Sequence, residues 1–95
     1  MTVRFREEAL QDLEEIAGYI ARDNPSAADQ TISRIFECAD LLATQPNMGR
    51  PGRVAGTREL VVSDTPFIAP YRVREDQVEI LALFHGARQW PEKFD

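Results

Sequence analysis

Five consecutive apolar residues, Ile80 to Phe84, stand near the end of this 95-residue chain. A strand with one face in water alternates apolar and polar positions, so an unbroken apolar run has to be covered on both faces. It predicts a central strand, and a sheet with another layer over it. Upstream segments supply the neighbours. TRELVV from Thr57 and PFIAPYRVR from Pro66 are rich in β-branched and aromatic residues, and Glu75-Asp76 separates the latter from QVEILALF as a hairpin turn would. Pro70 cannot donate to a ladder, which predicts an edge or a bulged position in its strand.

The covering layer is legible in the first half. Thr2 to Phe5 are β-compatible. Phe5, Ala9, Leu13, Ile16, Ala17 and Ile20 then recur at helical spacing. Asp23-Asn24-Pro25 interrupts that stripe, and Asn24 as N-cap with Pro25 at the first helical position predicts a second helix. Its apolar side runs through Ala28, Ile32, Ile35, Phe36, Ala39, Leu42 and Ala43 until Gln45-Pro46 ends it. The three glycines and two prolines from Pro46 to Gly56 predict an irregular loop. The expected fold is α+β in the order β-α-α-β-β-β, one domain over residues 1–95. A helical hairpin packs on one face of a small, mainly antiparallel sheet whose strand order stays open.

Charge narrows the function classes. The chain carries 16 acids against 11 Lys and Arg, a net charge of -5. Non-specific binding to a phosphate backbone needs a basic surface, so no direct nucleic-acid partner is expected. The acidity is N-terminal: the first helical segment holds Glu7, Glu8, Asp12, Glu14 and Glu15. The charged start MTVRFREEAL does not resemble a signal peptide and no apolar run approaches a membrane span, so a cytoplasmic protein is expected. Cys38, the single cysteine, cannot form an internal disulfide, and one Cys with one His supplies no metal cluster. Neither metal nor cofactor is expected.

Candidate functional residues are mainly arginines. GRPGRVAG lacks the G-K-[ST] ending of a phosphate cradle, but Arg50 and Arg53 within it suit a partner's carboxylates or a nucleic-acid backbone, since guanidinium forks fit both. Arg58, Arg72 and Arg74 lie on predicted strands, with His85 and Arg88 just after the last one. Brought together, such a group can hold an acidic peptide or stabilise charge on a phosphate in reaction. As residues, FHGARQWP reads as a strand end followed by a docked tail. His85 then lies at the core edge, Trp90 packs, and Arg88 makes contacts.

MGRPGRVAGTRELVV, PYRVREDQVEIL and FHGARQWP, in this order, resemble the RelE/ParE toxin superfamily on its ParE side, over nearly the whole chain. The resemblance implies a toxin of a type II toxin-antitoxin system, forming a hetero-oligomer with a ParD-like antitoxin. It implies growth arrest by non-enzymatic inhibition of DNA gyrase, with Arg58, Arg72, Arg88 and Trp90 contacting the target. RelE-like relatives instead cleave messenger RNA on the ribosome, and in that case Arg58, Arg72, His85 and Arg88 would form the catalytic set. A member that only binds its antitoxin is a third alternative. This chain departs from the nuclease pattern: its one lysine is Lys93, and Trp90 stands near where those enzymes carry a tyrosine. For the antitoxin, the expected dock is the helical hairpin with the sheet edge, using Leu13, Ile16, Ile20, Arg50 and Arg53. The acidic first helix calls for basic side chains on that partner.

Overall fold

The computed structural model describes residues 1–86 and 90–94. Strand β1 (Thr2–Phe5) leads into α1 (Glu7–Ala21) and α2 (Pro25–Asp40), and a short 3-10 turn (Leu41–Ala43) extends α2. There follow β2 (Arg50–Pro51), β3 (Arg58–Val61), β4 (Phe67–Arg74), β5 (Gln77–Ile80) and β6 (Phe84–His85). The strands form one sheet in the order β1-β5-β4-β3-β2, with β6 also paired to β4. Only β1 with β5 is parallel, as a mainly antiparallel sheet requires.

Local chemistry places the helices where expected. Asn24 Oδ1 accepts from Ala27 N at 3.1 Å, and Pro25 fills the first turn of α2, where a missing N–H costs nothing. Glu7 and Glu8 open α1, at the positive end of its dipole. Ala9 and Leu13 of α1 join Ile35, Ala39 and Leu42 over one sheet face, where Leu60, Val62, Ala69, Tyr71, Val78 and Ile80 complete the core.

Two details differ from the sequence expectation. The loop from Pro46 is not wholly irregular, because Arg50 and Pro51 pair with Glu59 and Arg58. The run Ile80 to Phe84 is buried throughout but is not one strand. Between the pairs Tyr71↔Ile80 and Ile68↔Phe84, three residues (81–83) oppose two (69 and 70), so a one-residue bulge separates β5 from β6. Pro70 sits at that bulge, in the middle strand of the sheet rather than at an edge. Its carbonyl accepts from Leu81 N at 2.9 Å, and its missing donor falls where the ladder is already broken. Leu83 N donates instead to Asp12 Oδ2 of α1 at 3.0 Å.

Candidate functional site

Paired residues point to the same side of a sheet and successive residues to opposite sides, so the register assigns each side chain a face. Tyr71 faces the helices, and Arg58, its partner, shares that side. Arg72 and Glu79 are paired on the other, open face, as are Arg50 and Glu59. The bulge restores alternation for β6 so that Phe84, paired with Ile68, faces the open side, while His85, paired with Phe67, faces the helix side.

The open face is organised around two carboxylates. Glu59, only 2% exposed, accepts from Arg50 Nε at 3.0 Å on Oε1, and from the Arg53 backbone N at 2.8 Å and Arg53 Nε at 3.0 Å on Oε2. The loop that delivers both arginines is tied back by Gly52 N to Thr57 O at 2.9 Å and turns at Gly56, where φ is +78°. Burial pushes the Glu59 carboxyl up, but the Arg53 backbone N–H and the two guanidiniums outweigh it and hold it below the usual glutamate value. Glu79, on β5, lies between Arg72 of β4 (Nε to Oε1, 2.7 Å) and Arg4 of β1 (3.5 Å). The hydrogen bond from Arg72 lowers its carboxyl against the opposing effect of burial. Arg74 is exposed one step further along the same side of β4.

The tail completes this face. The Arg53 guanidinium lies 3.7 Å from the centroid of the Trp90 ring. That ring meets Phe84 edge-on at 5.0 Å, and Phe94 stacks on Phe84 at 6.1 Å.

The predicted set is therefore divided by the sheet. Arg58 caps the loop on the helix side, with Nη1 donating to Gly49 O at 2.7 Å and Asn47 O at 3.3 Å. His85 is exposed with its ring edge-on to Phe67 at 6.1 Å, and Arg72 lies on the opposite face. Arg88 lies outside the described residues. Leu13 is buried in the core, while Ile16 and Ile20 are half-buried. Arg50 and Arg53 hold Glu59 and keep their outer surfaces in solvent. Among the described residues no group of three or more His, Cys, Asp or Glu is placed to hold a metal, and no helix is long and apolar enough to cross a membrane.

An apolar groove of about 350 Å³, lined by Cys38, Leu41, Met48, Leu60 and Val61, among others, lies between the helical hairpin and the sheet, and of its lining the expected dock named Arg50 alone. It runs beside the outer edge of β3, because β2 pairs with Arg58 and Glu59 alone. The adjacent pairs Leu41-Leu42 and Val61-Val62 were its signal. In each pair one residue enters the core and the other remains about half exposed.

The chain matches the family described as the ParE toxin of the type II toxin-antitoxin system parDE over residues 3–90. It is 48% identical over 90 residues to the protein named "Putative toxin Y4kP" of Sinorhizobium fredii, covering 95% of this chain and 93% of that one. Its fold is similar to a chain of the chromosomal ParDE system from P. aeruginosa, with a TM-score of 0.80 and 30% identity over 90% of this chain and 95% of that chain. A chain of the RelBE2 toxin-antitoxin complex from Mycobacterium tuberculosis aligns with a TM-score of 0.62 and 26% identity, covering 92% of each. A helical hairpin on this sheet, matched along nearly its whole length by sequence and by shape, makes the chain a member of the ParE toxin family of type II toxin-antitoxin systems.

Proposed function

We propose that this toxin arrests growth by binding DNA gyrase in the cytoplasm through the open sheet face and the tail, with Arg72, Arg88 and Trp90 as contact residues, and without catalysing a reaction. The observation that carries this reading is the separation of Arg72 from Arg58 and His85 by the sheet. A ribonuclease needs its phosphate clamp and its proton-transfer group around one bond, within hydrogen-bond reach of it. A contact surface needs only presented groups, and guanidiniums aligned by buried carboxylates suit that role.

A ParD-like antitoxin then docks against the outer surface of the helices and the groove beside β3, whose rim reaches the open face at Arg50, Glu59 and Val61. Leu10 and Tyr19, on opposite flanks of α1, are exposed apolar anchors for a partner that wraps the helix, and the surrounding glutamates favour a partner segment with basic side chains. An extended segment along the free edge of β3 can pair with its backbone and fill the groove with its side chains.

The test is gyrase supercoiling and cleavage-complex formation with the purified chain, with and without the protein encoded next to it. Inhibition relieved by that neighbour is expected. Growth arrest with gyrase activity untouched, accompanied by cleavage of messenger RNA on ribosomes, would replace this reading with the nuclease one.

A further inference from the structure

We propose that the segment Trp90 to Phe94 is a strap latched by Arg53, closed over part of the open face in the free protein and displaced when a partner takes that face. That a partner uses this face rests on the proposed function; the latch itself rests on geometry. Trp90 and Phe94 are half-buried while Pro91, Glu92 and Lys93 between them are exposed, so the segment is held at its two ends. At one end Phe94 stacks on Phe84. At the other the indole sits between the Phe84 ring and the Arg53 guanidinium.

Arg53 is not a free cation that found a ring. Its Nε and its backbone N–H both bind Glu59 Oε2, which fixes the guanidinium plane against the indole. One contact opposes this closure. Among the described residues the buried Trp90 Nε1 atom has no hydrogen-bond partner, so closing removes that donor from water without replacing the bond there. The closed strap thus combines two ring contacts and a cation over the ring with one unmet donor. An incoming acceptor for the indole N–H, or an anion for Arg53, shifts the balance toward release.

Trp90 is the only tryptophan, so its fluorescence reports the strap alone. In the purified full chain a blue-shifted emission and weak acrylamide quenching are expected. Arg53→Gln should red-shift the emission and raise quenching several-fold with the far-UV circular dichroism unchanged. Arg53→Lys keeps a charge for Glu59 but loses the planar stack, and should fall between. That variant also decides the matter if Arg53→Gln does not fold. A wild-type indole already as quenchable as free tryptophan, or one unaffected by either substitution, overturns the latch. In the supercoiling assay Arg53→Gln should inhibit gyrase at lower concentration than wild type; release of the indole without that gain overturns the concealment. If wild type leaves gyrase untouched, the functional reading fails, and the fluorescence still decides the latch.

Discussion

Tyr71 and Glu59 lie on neighbouring strands, both almost out of water, on opposite sides of one sheet. On the helix side Tyr71 sits among aliphatic side chains, and its hydroxyl donates to Pro46 O at 2.8 Å while accepting from Gly49 N at 2.9 Å. On the open side Glu59 is surrounded by Arg50, Arg53 and the tail. One face is closed by a covalently continuous layer of helices, the other by ion pairs and a strap. Apolar burial is non-directional and contributes most of the folding energy, whereas paired charges gain little net stability but fix where guanidiniums point. The difference makes the first face the scaffold, and under the proposed function target contact falls to the second.

Substitutions across the two faces should separate accordingly. Tyr71→Ala empties the core and orphans the buried Gly49 N–H, so it should cost about 3–5 kcal/mol in urea unfolding, enough to unfold a marginal domain. Tyr71→Phe removes only the hydroxyl and should cost about 1–3 kcal/mol. Equal losses from both would mean the ring packs poorly. Glu59→Ala should cost less than Tyr71→Ala, about 1–3 kcal/mol, because Arg50 and Arg53 are left with solvent as an alternative partner. A larger loss would make the open face part of the scaffold.

Acid should act through the same face. Glu59 and Glu79 are both held below the ordinary glutamate value of 4.5 in the folded protein, so the unfolded chain binds protons first as pH falls. Their stabilisation is present in full above the unfolded value and is lost as pH falls through the folded values. Unfolding midpoints measured from about pH 6 downward should therefore decline below about pH 5, and less steeply in Glu59→Gln. A Glu59→Gln curve parallel to wild type would remove that carboxylate from the acid response. The smallest effect belongs to Arg34→Ala, whose exposed pair with Asp64 at 3.2 Å should be worth no more than about 0.5 kcal/mol by the same unfolding assay.

Much of this architecture was written in local signals. Asn24-Pro25 specified a helix start through backbone chemistry within four residues, and the unbroken run from Ile80 predicted burial correctly. That run did not record its bulge, since residues apolar on both faces carry no parity to fix a register. At the bulge Leu83 N donates to Asp12, distant in sequence, a contact no local pattern announces. The arginines were harder for the same reason. Arg58 and Arg72 look equivalent in sequence, and their faces follow only from the pairing of Arg58 with Tyr71. Arg50 and Arg53 were read as suited to a partner's carboxylates or a phosphate backbone, but they hold Glu59 of the same chain, reached through a loop whose path the sequence does not state. Trp90 was expected to dock, and it does so on Phe84 and Arg53.

The most direct test of the division between the faces is to measure gyrase inhibition and urea unfolding together for wild type and Arg72→Ala. Wild type should inhibit supercoiling. Arg72→Ala should remain folded, losing only about 1–2 kcal/mol, while its inhibition weakens about tenfold or more. A folded Arg72→Ala protein that inhibits gyrase as well as wild type would contradict the account and move the recognition surface elsewhere.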